Sequence, residues 1–261
     1  MNLGELVTEL RDNILHDRSD QVSGASDYLW SNATLVRYIN EAERRFATLS
    51  LILRDSTTPE VTQVPLVAGQ TTYTLHPSVL GVISAKLAGD PADLARAGHG
   101  VLDTYRSPDP YFWDTSQFST LPPGKPLAFT TDESVTADDR GSQSVVTLRV
   151  WPAPTADYAG VNVLLRVVRL PLNPLKLASD GTIASSRQVP EVPELHHLEM
   201  LDWAAYLALR IVDLDKGTPA RAGEFRQSFE EHVKRARSVV MRKLFTPQPW
   251  GFGRAGFAWE K

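Results

Sequence analysis

Apolar residues recur at steps of three and four in two stretches at each end of the chain, and between them the pattern breaks into short β-branched runs. This switch of period constrains the fold more than composition does, because a helix repeats its buried face about every 3.6 residues and a strand every second residue. At the amino end, Leu3, Leu6, Val7, Leu10 and Ile14 predict one amphipathic helix. Asn2 is placed to cap it, and Glu5 to complete a capping box. Ser19 to Asp27 then forms a loop. Ser31 is the N-cap of a second helix, with Thr34 in its first turn and Trp30 as a hydrophobic staple. Its stripe is Leu35, Ile39, Ala42, Phe46, Leu49 and Leu53, while Arg37, Asn40, Glu41, Arg44 and Arg45 occupy other faces.

At the carboxyl end, Leu195, Leu198, Leu201, Ala205, Leu209 and Val212 predict one apolar face, broadened by Trp203 and Tyr206 and closed at Lys216-Gly217. Thr218-Pro219 starts a fourth helix, whose core positions are Phe225, Phe229, Val233, Ala236, Val240 and Leu244. None of the four stripes can stay in water, so the terminal segments 1–56 and 193–245 are expected to meet in a four-helix bundle.

The middle, 57–192, reads as a β-rich insert. Its runs are Val61 to Val67, Thr71 to Leu75, Val79 to Leu87, Leu127 to Thr131, Ser144 to Trp151 and Val161 to Leu170. Ala68-Gly69-Gln70 predicts a hairpin between the first two runs, and Pro152 to Gly160 a hairpin between the last two. Gly89 to Pro126 reads as a long loop with one short helix near Leu102, anchored by Tyr105, Tyr111, Phe112, Trp113 and Phe118. The fold class is therefore α+β, a helical bundle around a central antiparallel β-rich insert.

Residues 246–261 carry Trp250, Phe252, Phe257 and Trp259 among prolines and glycines that break helices and strands alike. So many large aromatics suit an extended arm that docks into a partner or neighbouring subunit, with Phe245 at its root. Folding back over its own bundle is the alternative.

Composition narrows the chemistry. Hydrophobic residues make up 42% and charged residues 22% of the 261, which fits a globular protein. There is no cysteine, which excludes disulfides and thiolate metal sites and suits a reducing compartment or a particle assembled inside a cell. A net charge of −4 argues against a protein whose main task is gripping phosphates. No run approaches the ~20 apolar residues of a membrane span, and the first residues lack a secretory signal, so the expectation is a soluble chain beginning near Met1, without membrane partners.

His196, His197 and Glu199 form the most enzyme-like cluster. Adjacent histidines project about 100° apart on a helix, and the His-Glu-x-x-His spacing of zinc proteases is absent, so a surface or first-turn structural role is expected. Glu41 with Glu43, two apart on a helix, read as solvated charges, and Asp132 with Glu133 is no more distinctive a pair. Asn32-Ala33-Thr34 reads as capping chemistry. With no phosphate loop or nucleophile elbow, the sequence offers no catalytic residue, cofactor site or metal site.

The fourth helix crowds basic residues into its carboxyl half, including Arg235, Arg237, Arg242 and Lys243. They oppose the helix dipole favourably, a contribution of about 0.3–1 kcal/mol. They also suit an acidic partner surface or a channel that passes DNA without reading it.

The order of these pieces resembles the head-to-tail adaptors, or head-tail connectors, of tailed bacteriophages. The likeness rests on Tyr28-Leu29-Trp30-Ser31 leading into Leu35-Val36-Arg37-Tyr38-Ile39-Asn40-Glu41-Ala42, and on Val150-Trp151-Pro152-Ala153-Pro154. It continues in Val192-Pro193-Glu194-Leu195-His196-His197 through Leu201-Asp202-Trp203-Ala204, followed by Asp213 and Asp215. The resemblance implies a structural virion protein, not an enzyme, in a ring of usually twelve copies beneath the portal, receiving a tail tube or nozzle and passing double-stranded DNA. It further implies that the bundle and the arm engage the portal while the β part points toward the tail, with Trp30 as scaffold. Assembly in the bacterial cytoplasm follows from that role. Two other readings are a phage peptidoglycan hydrolase using paired carboxylates, with Glu41 or Glu199 involved, and a tail-tube or tail-terminator subunit.

Overall fold

The computed structural model describes residues 1–17, 28–96, 122–138, 141–178, 183, 188–210 and 218–244. The chain is α+β and forms two compact units, Met1–Ile52 with Leu175–Lys261, and Leu53–Pro174. The expected loop from Ser19 to Asp27, the helix near Leu102 with its aromatic cluster, and the helix closure at Lys216-Gly217 lie outside the described residues.

In the helical unit, α1 (Leu3–Thr8) opens with the expected capping box: Glu5 N donates to Asn2 Oδ1 (3.0 Å) and Asn2 N to Glu5 Oε2 (2.9 Å). The single α-helix expected to reach Ile14 stops at Thr8. From there the chain widens into a π-helical segment, Glu9–Leu15, closed by His16 in the left-handed region at φ 53°. A π turn takes up an extra residue, so the side chain that returns to the core after Leu10 is Leu15, and Ile14 is left half-buried.

Helix α2 (Asn32–Ser50) starts on Ser31, whose Oγ accepts from Thr34 N (3.2 Å). Leu35, Ile39, Ala42 and Phe46 are fully buried along its expected stripe. Leu51, with φ 57°, ends the helix, so Leu53 belongs to the other unit.

Helix α4 (His197–Leu209) departs from expectation at its start. Glu194–His196 is a 3₁₀ turn, tighter than an α-helix, and it puts the first residues out of phase with the rest. Leu195 and Leu198 are exposed, and the buried face is His197, Met200, Leu201, Ala204, Ala205 and Ala208. Helix α5 (Thr218–Leu244) includes Thr218 within its first turn and buries Phe229, Val233, Ala236 and Val240 as its spacing predicts. Helix α4 packs against α2 and α5, α2 against α5, and α1 against both α2 and α4. Phe229 joins them, with its ring 5.1 Å from Trp203 and 6.0 Å from Phe46.

The second unit is two sheets around one core. In the first, β8 (Asn162–Arg169) is the hub: β4 (Val79–Leu87) pairs along one edge, and β1 (Arg54–Asp55) and β2 (Gln63–Pro65) follow each other along the other. The second sheet runs β3 (Thr72–Thr74), β7 (Gly141–Trp151), β6 (Ala128–Asp138), β5 (Ala95–Arg96). Val163, Leu165 and Val167 of β8 and Val146, Leu148 and Val150 of β7 alternate into the shared core with Phe129. On β4 the buried positions are Val79, Val82, Ala85 and Leu87, because register shifts at Val79/Gly81 and Val82/Ser84 each insert a residue and change the alternation.

Both expected hairpins are corrected. Strand β2 belongs to the first sheet and β3 to the second, and likewise β8 and β7, so each connection crosses between sheets. The two crossings lie side by side: Leu66 N donates to Val161 O, Gly160 N to Leu66 O, and Gly69 N to Pro154 O. Tyr73 Oη accepts from Val67 N (3.0 Å) and donates to Gln70 O (2.8 Å), which fixes the first crossing. Strands β6 and β7, consecutive in the chain, do pair antiparallel, and Val61 and Thr62 form a helical turn, α3 (Pro59–Thr62), where a strand was expected. The insert is not wholly antiparallel, since β5 pairs with β6 in parallel.

Candidate functional site

The residues that carry the phage likeness act first as scaffold. Arg11, buried on the π-helical segment, donates from Nη1 to Asn32 Oδ1 (3.0 Å) and from Nη2 to Trp30 O (2.7 Å), and its guanidinium stacks 4.0 Å over the Tyr28 ring. Asp17, 3.6 Å from Arg11 Nε, accepts from Leu29 N (2.8 Å). Together they hold Tyr28-Leu29-Trp30-Ser31 where Ser31 can cap α2. Sequence reasoning missed Arg11. A charged residue between buried positions of an amphipathic stretch was the only signal.

Asn40 pairs with the backbone of Leu175 through both ends of its amide, Nδ2 to O and N to Oδ1, each 2.8 Å. Glu43, read from sequence as a solvated charge, is in fact 1% exposed. Its Oε1 accepts from Glu191 N (2.6 Å) and Val192 N (3.3 Å), two backbone donors that offset part of the cost of burying the carboxylate. Burial raises its pKa, and these two hydrogen bonds pull it partly back.

His197 is buried at the first turn of α4 and not at the surface. A carbonyl can only accept, so His197 Nε2 donates to Val192 O (2.8 Å) and Nδ1 faces the Met1 amino group (3.1 Å). Burial lowers the His197 pKa. His196 instead contacts Glu199 Oε2 (2.5 Å), whose Oε1 is 3.2 Å from His232 Nδ1 on α5. His232 Nε2 is 3.6 Å from Asp202 Oδ2, which accepts from Ser228 Oγ (2.7 Å). This polar row ties α4 to α5, and burial raises the Asp202 pKa within it. Among the described residues no group of three or more His, Cys, Asp or Glu is arranged to hold a metal ion, and no helix is long and apolar enough to cross a membrane.

Arg235, Arg237, Arg242 and Lys243 are all exposed on the last turns of α5. At about 100° per residue, Arg235 and Arg242 lie one above the other on the face turned from the core, with half-exposed Val239 between them. Arg237 and Lys243 flank the buried stripe on opposite sides. The arm residues Phe245, Trp250, Phe252, Phe257 and Trp259, and likewise Asp213 and Asp215, lie outside the described residues.

The scaffold contacts thus fall on the stretches that carry the likeness, and a family model described as SU10 adaptor protein matches residues 1–248. The chain belongs to this family of phage head-to-tail adaptors. No curated protein sequence matches it. The match covers both units, so the β unit of this adaptor is part of the family architecture. Its Trp151-Pro152-Ala153-Pro154 stretch has a physical role as well: Leu127 N donates to Trp151 O, Gly124 N to Ala153 O and Gly69 N to Pro154 O, so one turn receives three backbone bonds from two other segments. The adaptor family is structural, with association to portal and tail proteins and a place in the virion.

Proposed function

We propose that the chain forms a ring, of twelve copies, that joins the portal of a phage head to the tail and leaves a central conduit for double-stranded DNA. The observation that carries this reading is the family match across both units. The helical segments 1–56 and 193–245 form a four-helix bundle facing the portal, which is supported by the packing of α1, α2, α4 and α5 on one another. The β-rich insert, 57–192, is directed to the tail tube or nozzle. The extended arm, 246–261, docks on the portal through Trp250, Phe252, Phe257 and Trp259, with Phe245 at its root. The reaction chemistry is nil in this role: no catalytic residue, cofactor or metal takes part. The ring is assembled in the bacterial cytoplasm, and resides at the head-tail interface through DNA ejection.

The test is truncation. A chain ending at Phe245 keeps the helical core and both sheets, so its circular dichroism and melting remain those of the full chain. Added to portal-bearing heads lacking the adaptor, it fails to complete them, whereas the full chain succeeds. Truncated protein that still completes heads would sink the arm assignment, and absence of rings on heads imaged with the full chain would sink the adaptor reading itself.

A further inference from the structure

Helices α2 and α4 form a packed pair, and α1 and α5 each pack against both of its members. Those two outer elements carry opposite charge. From His232 to Leu244, α5 contains Lys234, Arg235, Arg237, Arg242 and Lys243 and no acidic residue. Arg235, Val239 and Arg242 share its outward face, so an apolar side chain 46% exposed sits between two guanidinium groups. On α1 and the π-helical segment, the positions turned away from buried Leu3, Leu6, Val7 and Leu10 are Glu5, Thr8, Glu9 and Asp12.

We infer that copies of this chain meet head to tail, the Arg235–Val239–Arg242 face of α5 on one copy against the Glu5–Glu9–Asp12 face of α1 and the π-helical segment on the next. The inference rests on the ring reading proposed above and names its lateral contact. Its physical ground is complementarity between two edges of one unit. A contact between different faces of identical subunits repeats from copy to copy, and closes into a ring when the rotation allows. Opposite charges fix which faces meet, and like faces repel, which disfavours the isologous dimer. The exposed Val239 favours a protein partner over DNA. A phosphate surface has use for the arginines and none for the valine between them.

The chain has no cysteine, so single thiols can be placed at will. Thr8→Cys and Val239→Cys in the same full-length chain should, on mild oxidation of the concentrated protein or of protein bound to portal-bearing heads, yield a ladder of disulfide-linked multimers. Each single variant should stay monomeric on the same gel. Arg235→Glu with Arg242→Glu should weaken self-association by about tenfold or more in sedimentation, and adding Glu9→Lys with Asp12→Lys should restore it. A missing ladder overturns the contact whether or not heads bind the chain, and so does a Val239→Cys homodimer. Normal rings from the Arg235→Glu, Arg242→Glu chain with impaired DNA passage would overturn it in favour of a channel-facing surface. Wild-type chain that never joins heads would count against the adaptor reading and leave the ladder as an independent result.

Discussion

Asp55 is buried in the β unit with five hydrogen bonds on its two oxygens. Thr57 N and Oγ1 and Thr58 N reach Oδ1, while Thr58 Oγ1 (2.6 Å) and Arg169 Nε (2.7 Å) reach Oδ2. Burial alone would raise its pKa, but the hydrogen bonds from Thr58, Thr57 and Arg169 outweigh it and hold the value well below the ordinary 3.8. A carboxylate depressed in the folded state contributes stability that is present above its unfolded pKa and lost as pH falls through the folded one. Asp55→Asn should therefore melt well below the parent at pH near neutrality, and the gap should shrink as pH drops below 3.8. A gap that stays constant with pH would show that the carboxylate charge is not what matters. Glu43 has the opposite sign. Its pKa is raised by burial, so its contribution is complete below 4.5 and fades as pH rises through the folded value.

At the scale of elements, β8 holds the first sheet together. Leu164 pairs with Gln63 on one side and Lys86 on the other, so both ladders run through it. Proline removes a donor and fixes φ, at a cost of about 3 kcal/mol or more inside regular structure. Leu164→Pro should abolish the cooperative unfolding of the β unit and make cleavage within strands β4 and β8 faster than in the parent. Cleavage there no faster than in the parent would mean that β8 is not the hub. Pro65, the one proline within the described strands, sits at the end of edge strand β2, where the same chemistry is tolerated. The Asn2–Glu5 capping box and the stripes of α2 and α5 were legible in sequence because their partners lie within one or two turns. The crossings were not, because Ala68-Gly69-Gln70 has the residues of a hairpin turn and only the distant pairing of β2 with β8 and β3 with β7 sends the chain to another sheet. The switch to π-helix at Glu9 had no sequence marker of its own; the wider turn is what brings Leu10 and Leu15, five residues apart, onto one buried face.

For the whole molecule, the proposed lateral contact places exposed arginines opposite partly exposed carboxylates around an apolar centre, and such charges are screened by salt. Between about 0.1 M and 1 M salt the screening length falls from about 10 Å to 3 Å. Self-association of the full chain should weaken severalfold over that range in sedimentation and should not vanish, because Val239 is indifferent to salt. Association that strengthens with salt would point to a mainly apolar contact, with the exposed Leu195 and Leu198 the first surface to test.

The sequence by itself determined the class of protein: helical period at both ends, β texture between, and motifs in the order of phage adaptors. Those are properties of local spacing and residue type, which one chain states directly. The tertiary structure alone decided which polar residues are spent inside. Arg11, Asn40, Glu43 and Asp55 look like ordinary surface residues in sequence, yet each is consumed by backbone groups that folding brings from elsewhere in the chain or seals from water. A polar side chain shows its role only when its partner is known, and pairing over 148 residues, as between Glu43 and Glu191, is a fact of packing that no local pattern encodes.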